Sequence, residues 1–277
     1  MSSFNRRTFL KTGAAGLAAL SCNALRADEA NLYAPFRVGI ATYTLRNFKT
    51  LDDCLAKLKE LGLKYSEFNK AHLVVTSDAA KIAEYKEKLA AAGITPLAIC
   101  VYKFDDKAAS NRAVFEFAKA MNIPTISATF SSKGALSLDK LCEEFPDIKV
   151  GIHNHGPTDE YKSPEDVLAC VKDRHKNIGA TADLGHYIRA KQDPLEVIEK
   201  LKDRLYGVHF KDYKFEGGKE HETIVGDGVL KVKETLAALK KVNFQGCLSL
   251  EYEQNPANPI PDLKMSLERI QAAAKEV

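Results

Sequence analysis

From residue 37 to the C-terminus the chain alternates two hydrophobic rhythms. Short apolar runs of extended character fall at 38–42, 65–68, 96–101, 125–129, 150–153, 179–183, 207–209 and 247–251. Between them apolar residues recur every three or four positions, which predicts amphipathic helices at 51–61, 79–92, 112–121, 138–144, 164–172, 194–201, 230–241 and 261–275. Gly62 and Gly93 follow helical runs as stop signals, and Thr50-Leu51-Asp52-Asp53 and Ser163-Pro164-Glu165-Asp166 open them as caps followed by early acids. Eight βα units without a Pro/Gly/Ser-rich linker predict one α/β domain, a single (β/α)8 TIM barrel over 37–277. The rival open sheet calls for a Gly-rich phosphate loop after the first strand, and Ala41-Thr42-Tyr43-Thr44-Leu45-Arg46 is not one.

Four of the predicted strands end on metal-ligand residue types, in VGIHNH (150–155), IGATADLGH (178–186), LYGVHFKD (205–212) and CLSLEYE (247–253). Burying a charge without a partner is expensive, so repeated endings of this kind at the C-terminal rim of a barrel point to side chains converging on a cation. His153 and His155 share a face by strand period, as do Glu251 and Glu253. Gly185 is expected to let the chain turn sharply between Asp183 and His186. Singly, His209 reads equally as a core histidine and Asp183 as a turn cap, while together they read as one site.

The N-terminus changes the meaning of the charge. Asn5-Arg6-Arg7-Thr8-Phe9-Leu10-Lys11, followed by a small apolar stretch at 12–21, resembles a twin-arginine (Tat) export signal. Residues 1–27 are assigned to it and 28–36 to a linker, with Cys22 a minor candidate for lipid attachment. The whole chain has 40 Lys+Arg against 37 Asp+Glu, and 1–27 holds Arg6, Arg7, Lys11 and Arg26 with no acid. The remainder is therefore near neutral and offers no basic field for nucleic acid. The expected location is extracytoplasmic, with the Tat machinery as a partner and no stable membrane span. The five cysteines beyond Cys22 lack metal-type spacing and imply no disulfide framework.

The segments Tyr65-Ser66-Glu67-Phe68, HNHG (153–156), DLGH (183–186), HFKD (209–212), VGDG (225–228) and LEYE (250–253) resemble the sugar phosphate isomerase/epimerase family, xylose isomerase-like barrels that include ketose 3-epimerases and inosose dehydratases. The resemblance spans residue 37 to the C-terminus. It implies one divalent ion (Mn²⁺, Co²⁺, Zn²⁺ or Fe²⁺) on His153, Asp183, His209 and Glu251. In the epimerases the first of these is Glu, which pairs with the strand-eight Glu as the second base. His153 departs from that pattern and favours elimination or hydration.

Such a site suits proton abstraction next to a carbonyl through an enediolate. The candidate bases are Glu251, Glu67 and His155; His186 and Lys211 are expected to orient substrate oxygens, and His72 to cover the sugar from the opposite rim. Glu67 has a structural alternative, an ion pair with Lys211. The first functional reading is a metal-dependent isomerase/epimerase of a free or keto-sugar, and the alternative is an inosose-dehydratase-type lyase on 3-keto-sugars or 3-keto-glycosides. An abasic-site nuclease is remote, because strand three ends Cys100-Val101-Tyr102-Lys103 without His. A non-catalytic sugar-binding barrel and a homo-oligomer are the remaining expectations.

Overall fold

Eight parallel strands form the centre of the protein. The computed structural model describes residues 31–105 and 108–277, so the export-signal expectation lies outside the described residues. In chain order the elements are β1 (Arg37–Ile40), α1 (Leu51–Glu60), β2 (Tyr65–Asn69), α2 (Ala79–Ala92), β3 (Thr95–Lys103), α3 (Ala108–Met121), β4 (Thr125–Thr129), α4 (Ser132–Glu144), β5 (Lys149–His153) and α5 (Pro164–Val171). Then come β6 (Ile178–Asp183), α6 (Leu184–Arg189), α7 (Pro194–Leu201), β7 (Leu205–Phe210), β8 (Asp212–Glu216), β9 (Lys219–Thr223), α8 (Val232–Lys241), β10 (Cys247–Leu250) and α9 (Ile260–Ala274). Sheet order is β1-β10-β7-β6-β5-β4-β3-β2, and a parallel bridge between Ala41 and Glu67 draws β1 toward β2. The fold is a TIM barrel.

Local chemistry sets the ends of the elements. Thr50 accepts the Asp53 amide at the start of α1, and Ser163 and Asp166 form a reciprocal capping box on α5. Gly93, at φ 69°, ends α2 in the left-handed region. The structure departs from the hydrophobic pattern in three places. The first strand stops at Ile40 and Thr42–Leu45 forms a 3-10 turn. A helix, α6, begins immediately at Asp183, whose carboxylate caps it by accepting the His186 amide at 2.8 Å. The segment after β7 folds into an antiparallel hairpin, β8–β9, before reaching α8.

The interior is apolar at its base and polar near the C-terminal rim. Ile40, Phe68, Ile99, Ile126, Val150, Val208 and Leu248 are essentially inaccessible. Cys54, Cys100, Cys142 and Cys247 are buried free thiols, and Cys170 is half-buried beside the Tyr161 hydroxyl at 3.4 Å. Among the described residues no helix is long and apolar enough to cross a membrane.

Candidate metal centre

Register brings the ligand-type residues together. Asp183 on β6 lies opposite His209 on β7, and His209 lies opposite Ser249 on β10. His153 closes β5 and Glu251 is the first residue beyond β10. One potential ligand atom from each of His153, Asp183, His209 and Glu251 falls within 4.8 Å of all the others, and all four residues are buried. His153 Nδ1 and Asp183 Oδ2 are buried without any hydrogen-bond partner. Orphaned polar atoms of this kind are costly in a dry interior, and a shared cation would satisfy them. The side chains are positioned to chelate a divalent ion. Two nitrogens and two carboxylates suit Mn²⁺, Co²⁺, Zn²⁺ or Fe²⁺ better than an all-oxygen Mg²⁺ site.

The charges around this set are strongly coupled. Burial pulls the His209 ring down, but Glu67 and Glu251 on its two sides outweigh this and hold it well above the usual imidazole value. Burial pushes Glu251 up, while Lys211 and His209 outweigh it and hold the carboxyl well below the usual range. Asp183 is pushed up to about 6 by burial, against the pull of Lys211. Lys211 is fully buried, its Nζ 3.2 Å from Glu251 Oε2, 4.0 Å from Asp183 Oδ2 and hydrogen-bonded to Glu253. It is the internal counter-charge of the acids.

The remaining candidates sort by position. His155 is exposed at the mouth, its ring 4.6 Å from that of His153 and its Nδ1 3.6 Å from Asp159 Oδ2. His186 accepts from Arg189 at 3.1 Å, and its Nε2 lies 3.7 Å from Asp183 Oδ2. Burial and the Lys211 ammonium lower His186 to about 3, so its ring is neutral. Glu67 makes no ion pair with Lys211. It is inaccessible, and both oxygens accept from serine hydroxyls and His209. His72 is engaged on both ring nitrogens: its Nε2–H donates to the Phe48 carbonyl (2.8 Å) and its Nδ1 accepts from Thr42 Oγ1 (2.9 Å). Gly185 departs from the expected turn. It sits inside α6 rather than at a turn, and a Cβ there would come within 2.8 Å of Lys211 Cβ and Cγ.

Several groups to which the sequence assigned no role shape the site. Asn154 clamps the Asp183 backbone, donating to its carbonyl at 3.1 Å and accepting its amide at 2.9 Å. Asp212 accepts the amides of Tyr213, Gly226, Gly228 and Leu230 at 2.8–3.0 Å and so holds the 224–230 loop. The hairpin crosses the rim: Arg189 donates to Glu220 at 2.6 Å, and Glu222 accepts the Glu253 amide at 2.9 Å. His155, His186, Tyr213, Glu222 and Glu253 line a cavity of 590 Å³ above the cluster.

Residues 55–273 match the family described as xylose isomerase-like TIM barrel, well over half of the chain. The chain belongs to that family. An inosose dehydratase from Lacticaseibacillus casei is 27% identical over 145 residues, covering 46% of this chain and 48% of the relative. The chain thus spans about half the length of the curated relatives it matches. An uncharacterised protein from Parabacteroides distasonis superposes with a TM-score of 0.67 at 27% identity, covering 86% of this xylose isomerase-like chain and 98% of that one. The 3-keto-D-glucoside 4-epimerase of E. coli gives a TM-score of 0.67 at 14% identity over 86% and 99%, a likeness of fold alone.

Proposed function

We propose that the protein is a divalent-metal-dependent lyase that eliminates water, or another β-substituent, from a keto-sugar. This reverses the order given by the sequence, in which isomerisation comes first and elimination second. The observation that carries the reading is the unlike character of the two sides of the site. The β10 side offers the Glu251 carboxylate, whereas the β5 side offers His153 and the His155–Asp159 pair. Epimerisation calls for two comparable bases on opposite faces; elimination calls for one base and one acid. The similarity to inosose dehydratases points the same way.

A divalent cation held by His153, Asp183, His209 and Glu251 would polarise the carbonyl and an adjacent hydroxyl of the sugar and acidify the neighbouring C–H. Glu251 takes that proton, kept anionic by Lys211. His155, its Nδ1 3.6 Å from Asp159 Oδ2, gives a proton to the departing hydroxyl, which leaves as water as the C–O bond breaks and the C=C bond forms. His186, neutral and held by Arg189, orients substrate oxygens. The twin-arginine N-terminus supports an extracytoplasmic setting and therefore an unphosphorylated substrate, and finding the mature protein in the cytoplasmic fraction would remove that part of the reading.

The test is NMR in D₂O of the metal-loaded protein with 3-keto-sugars and 3-keto-glycosides. Loss of the β-substituent with an enone product, abolished by Glu251→Gln, is expected. Exchange with inverted configuration and no elimination would replace lyase with epimerase, and binding without exchange would replace both with a sugar-binding barrel.

A further inference from the structure

Glu67 lies beneath the four-residue cluster, on β2, and was expected from the sequence as a base or as a partner of Lys211. Its surroundings point elsewhere. Oε1 accepts from Ser127 Oγ on β4 at 2.6 Å; Oε2 accepts from Ser249 Oγ on β10 at 2.6 Å and from His209 Nε2 on β7 at 2.9 Å. Ser127 Oγ is 3.1 Å from Thr181 Oγ1, which extends the network to β6, the strand that carries Asp183. Glu67 and His209 are wholly inaccessible. A carboxylate occupied on both oxygens below the ligand set is poorly placed to take a proton from a sugar above it.

We propose that Glu67 is the positioning residue of the cation site, and that it acts through His209. An imidazole can present either ring nitrogen to a cation. With Nε2–H donating to Glu67, the other nitrogen, Nδ1, is turned to the cluster, 3.2 Å from Glu251 Oε2 and 3.9 Å from Asp183 Oδ2. Reversing the ring would leave a buried N–H without its acceptor, which is costly. The two serine hydroxyls, coming from different strands, stop the carboxylate from following the ring. A carboxylate behind a ligating histidine fixes the ring and raises its basicity, and losing such a partner weakens metal binding by roughly 10- to 100-fold.

The inference concerns metal binding and not the reaction, so it stands or falls separately from the lyase reading. The measurements are Zn²⁺ affinity by competition with a chromophoric chelator, the visible absorption of the Co²⁺-loaded protein, and thermal melting of the metal-free protein. Glu67→Gln keeps the shape but loses the charge, and its amide faces hydroxyls that now donate. It is expected to weaken Zn²⁺ binding roughly 10-fold or more and to change the Co²⁺ spectrum. Unchanged affinity and spectrum would overturn the proposal, whether proton exchange is lost (a catalytic base) or only the metal-free melting temperature falls (a purely structural group). If Glu67→Gln does not fold, Ser249→Ala, which leaves the carboxylate in place but frees it to rotate, is expected to weaken Zn²⁺ binding in the same direction by a smaller factor. Affinity and Co²⁺ spectrum identical to the parent in that variant would equally overturn it.

Discussion

Replacing Lys211 with Met removes the ammonium and nearly conserves the volume, so it isolates the role of the internal counter-charge. Lys211 is inaccessible, and its Nζ is 3.2 Å from Glu251 Oε2 and 4.0 Å from Asp183 Oδ2. At an effective dielectric of about 20 the nearer pair attracts by about 5 kcal/mol before any desolvation is counted. Glu253 is partly exposed and rehydrates, so the cost falls on Glu251 and Asp183. Breaking a buried pair by removing one partner typically costs about 3–5 kcal/mol. At about 2–4 °C per kcal/mol for a chain of this size, the metal-free variant should melt roughly 6–20 °C lower. A divalent ion supplies the missing positive charge and no longer competes with Lys211, so the melting rise on adding Mn²⁺ should be larger in Lys211→Met than in the parent. Scanning calorimetry with and without Mn²⁺ measures both. An unchanged metal-free melt, or a smaller metal-induced rise, would show that Lys211 does not hold these acids in balance.

Other outcomes follow from the same geometry. Stripping the protein with a chelator and restoring Zn²⁺ or Mn²⁺ at about 100 times its dissociation constant should add about 2.7 kcal/mol of stability, read as a shift in urea midpoint; no shift would deny the cluster a cation. Asp212→Ala orphans three loop amides together with that of Tyr213 and should cost about 2–4 kcal/mol, with faster hydrogen exchange at Gly226, Gly228 and Leu230 as the local signature. Burial pushes Glu222 up to about 7, against the pull of Lys211. An acid with a raised native pKa holds its proton more tightly when folded, so its contribution favours the native state at low pH and is lost as pH rises from about 4.3 to about 7. Stability of the parent relative to Glu222→Gln should therefore fall across that window, and parallel urea-midpoint profiles would refute the assignment.

The barrel was legible because its two signals are strong: fully buried strands read as short apolar runs, and their polar endings stand out against them. The polar endings narrowed the ligands to one or two positions on each strand, and the family resemblance selected His153, Asp183, His209 and Glu251 among them. The hairpin was missed because Asp212–Glu216 and Lys219–Thr223 cover the rim rather than the core, so only Tyr213 and Phe215 keep an alternating pattern. Its signal was the Gly217-Gly218 pair, at φ 58° and 74°, which makes a two-residue hairpin turn. Asn154 gave no signal beyond its place between two histidines, since a side chain that clamps backbone follows no periodicity. Gly185 was read as a turn because the sequence shows a small residue and not what packs against it; Lys211, 26 positions away, is the reason for it. The same distance problem hid the partners of Glu67 and His72, which lie on strands and loops far along the chain.

The buried thiols have a use unrelated to chemistry at the rim. Cys54 on α1, Cys100 on β3, Cys142 on α4 and Cys247 on β10 sample separate sectors of the barrel, and burial pushes the Cys54, Cys142 and Cys247 thiols up to about 12 and Cys100 well above its ordinary value. Alkylating reagents attack thiolates, so these positions stay unmodified until their sector opens. Pulsed labelling followed by peptide mass spectrometry would thus time the opening of each sector and show whether the strand-bearing and helix-bearing thiols become reactive in one step, without an introduced probe.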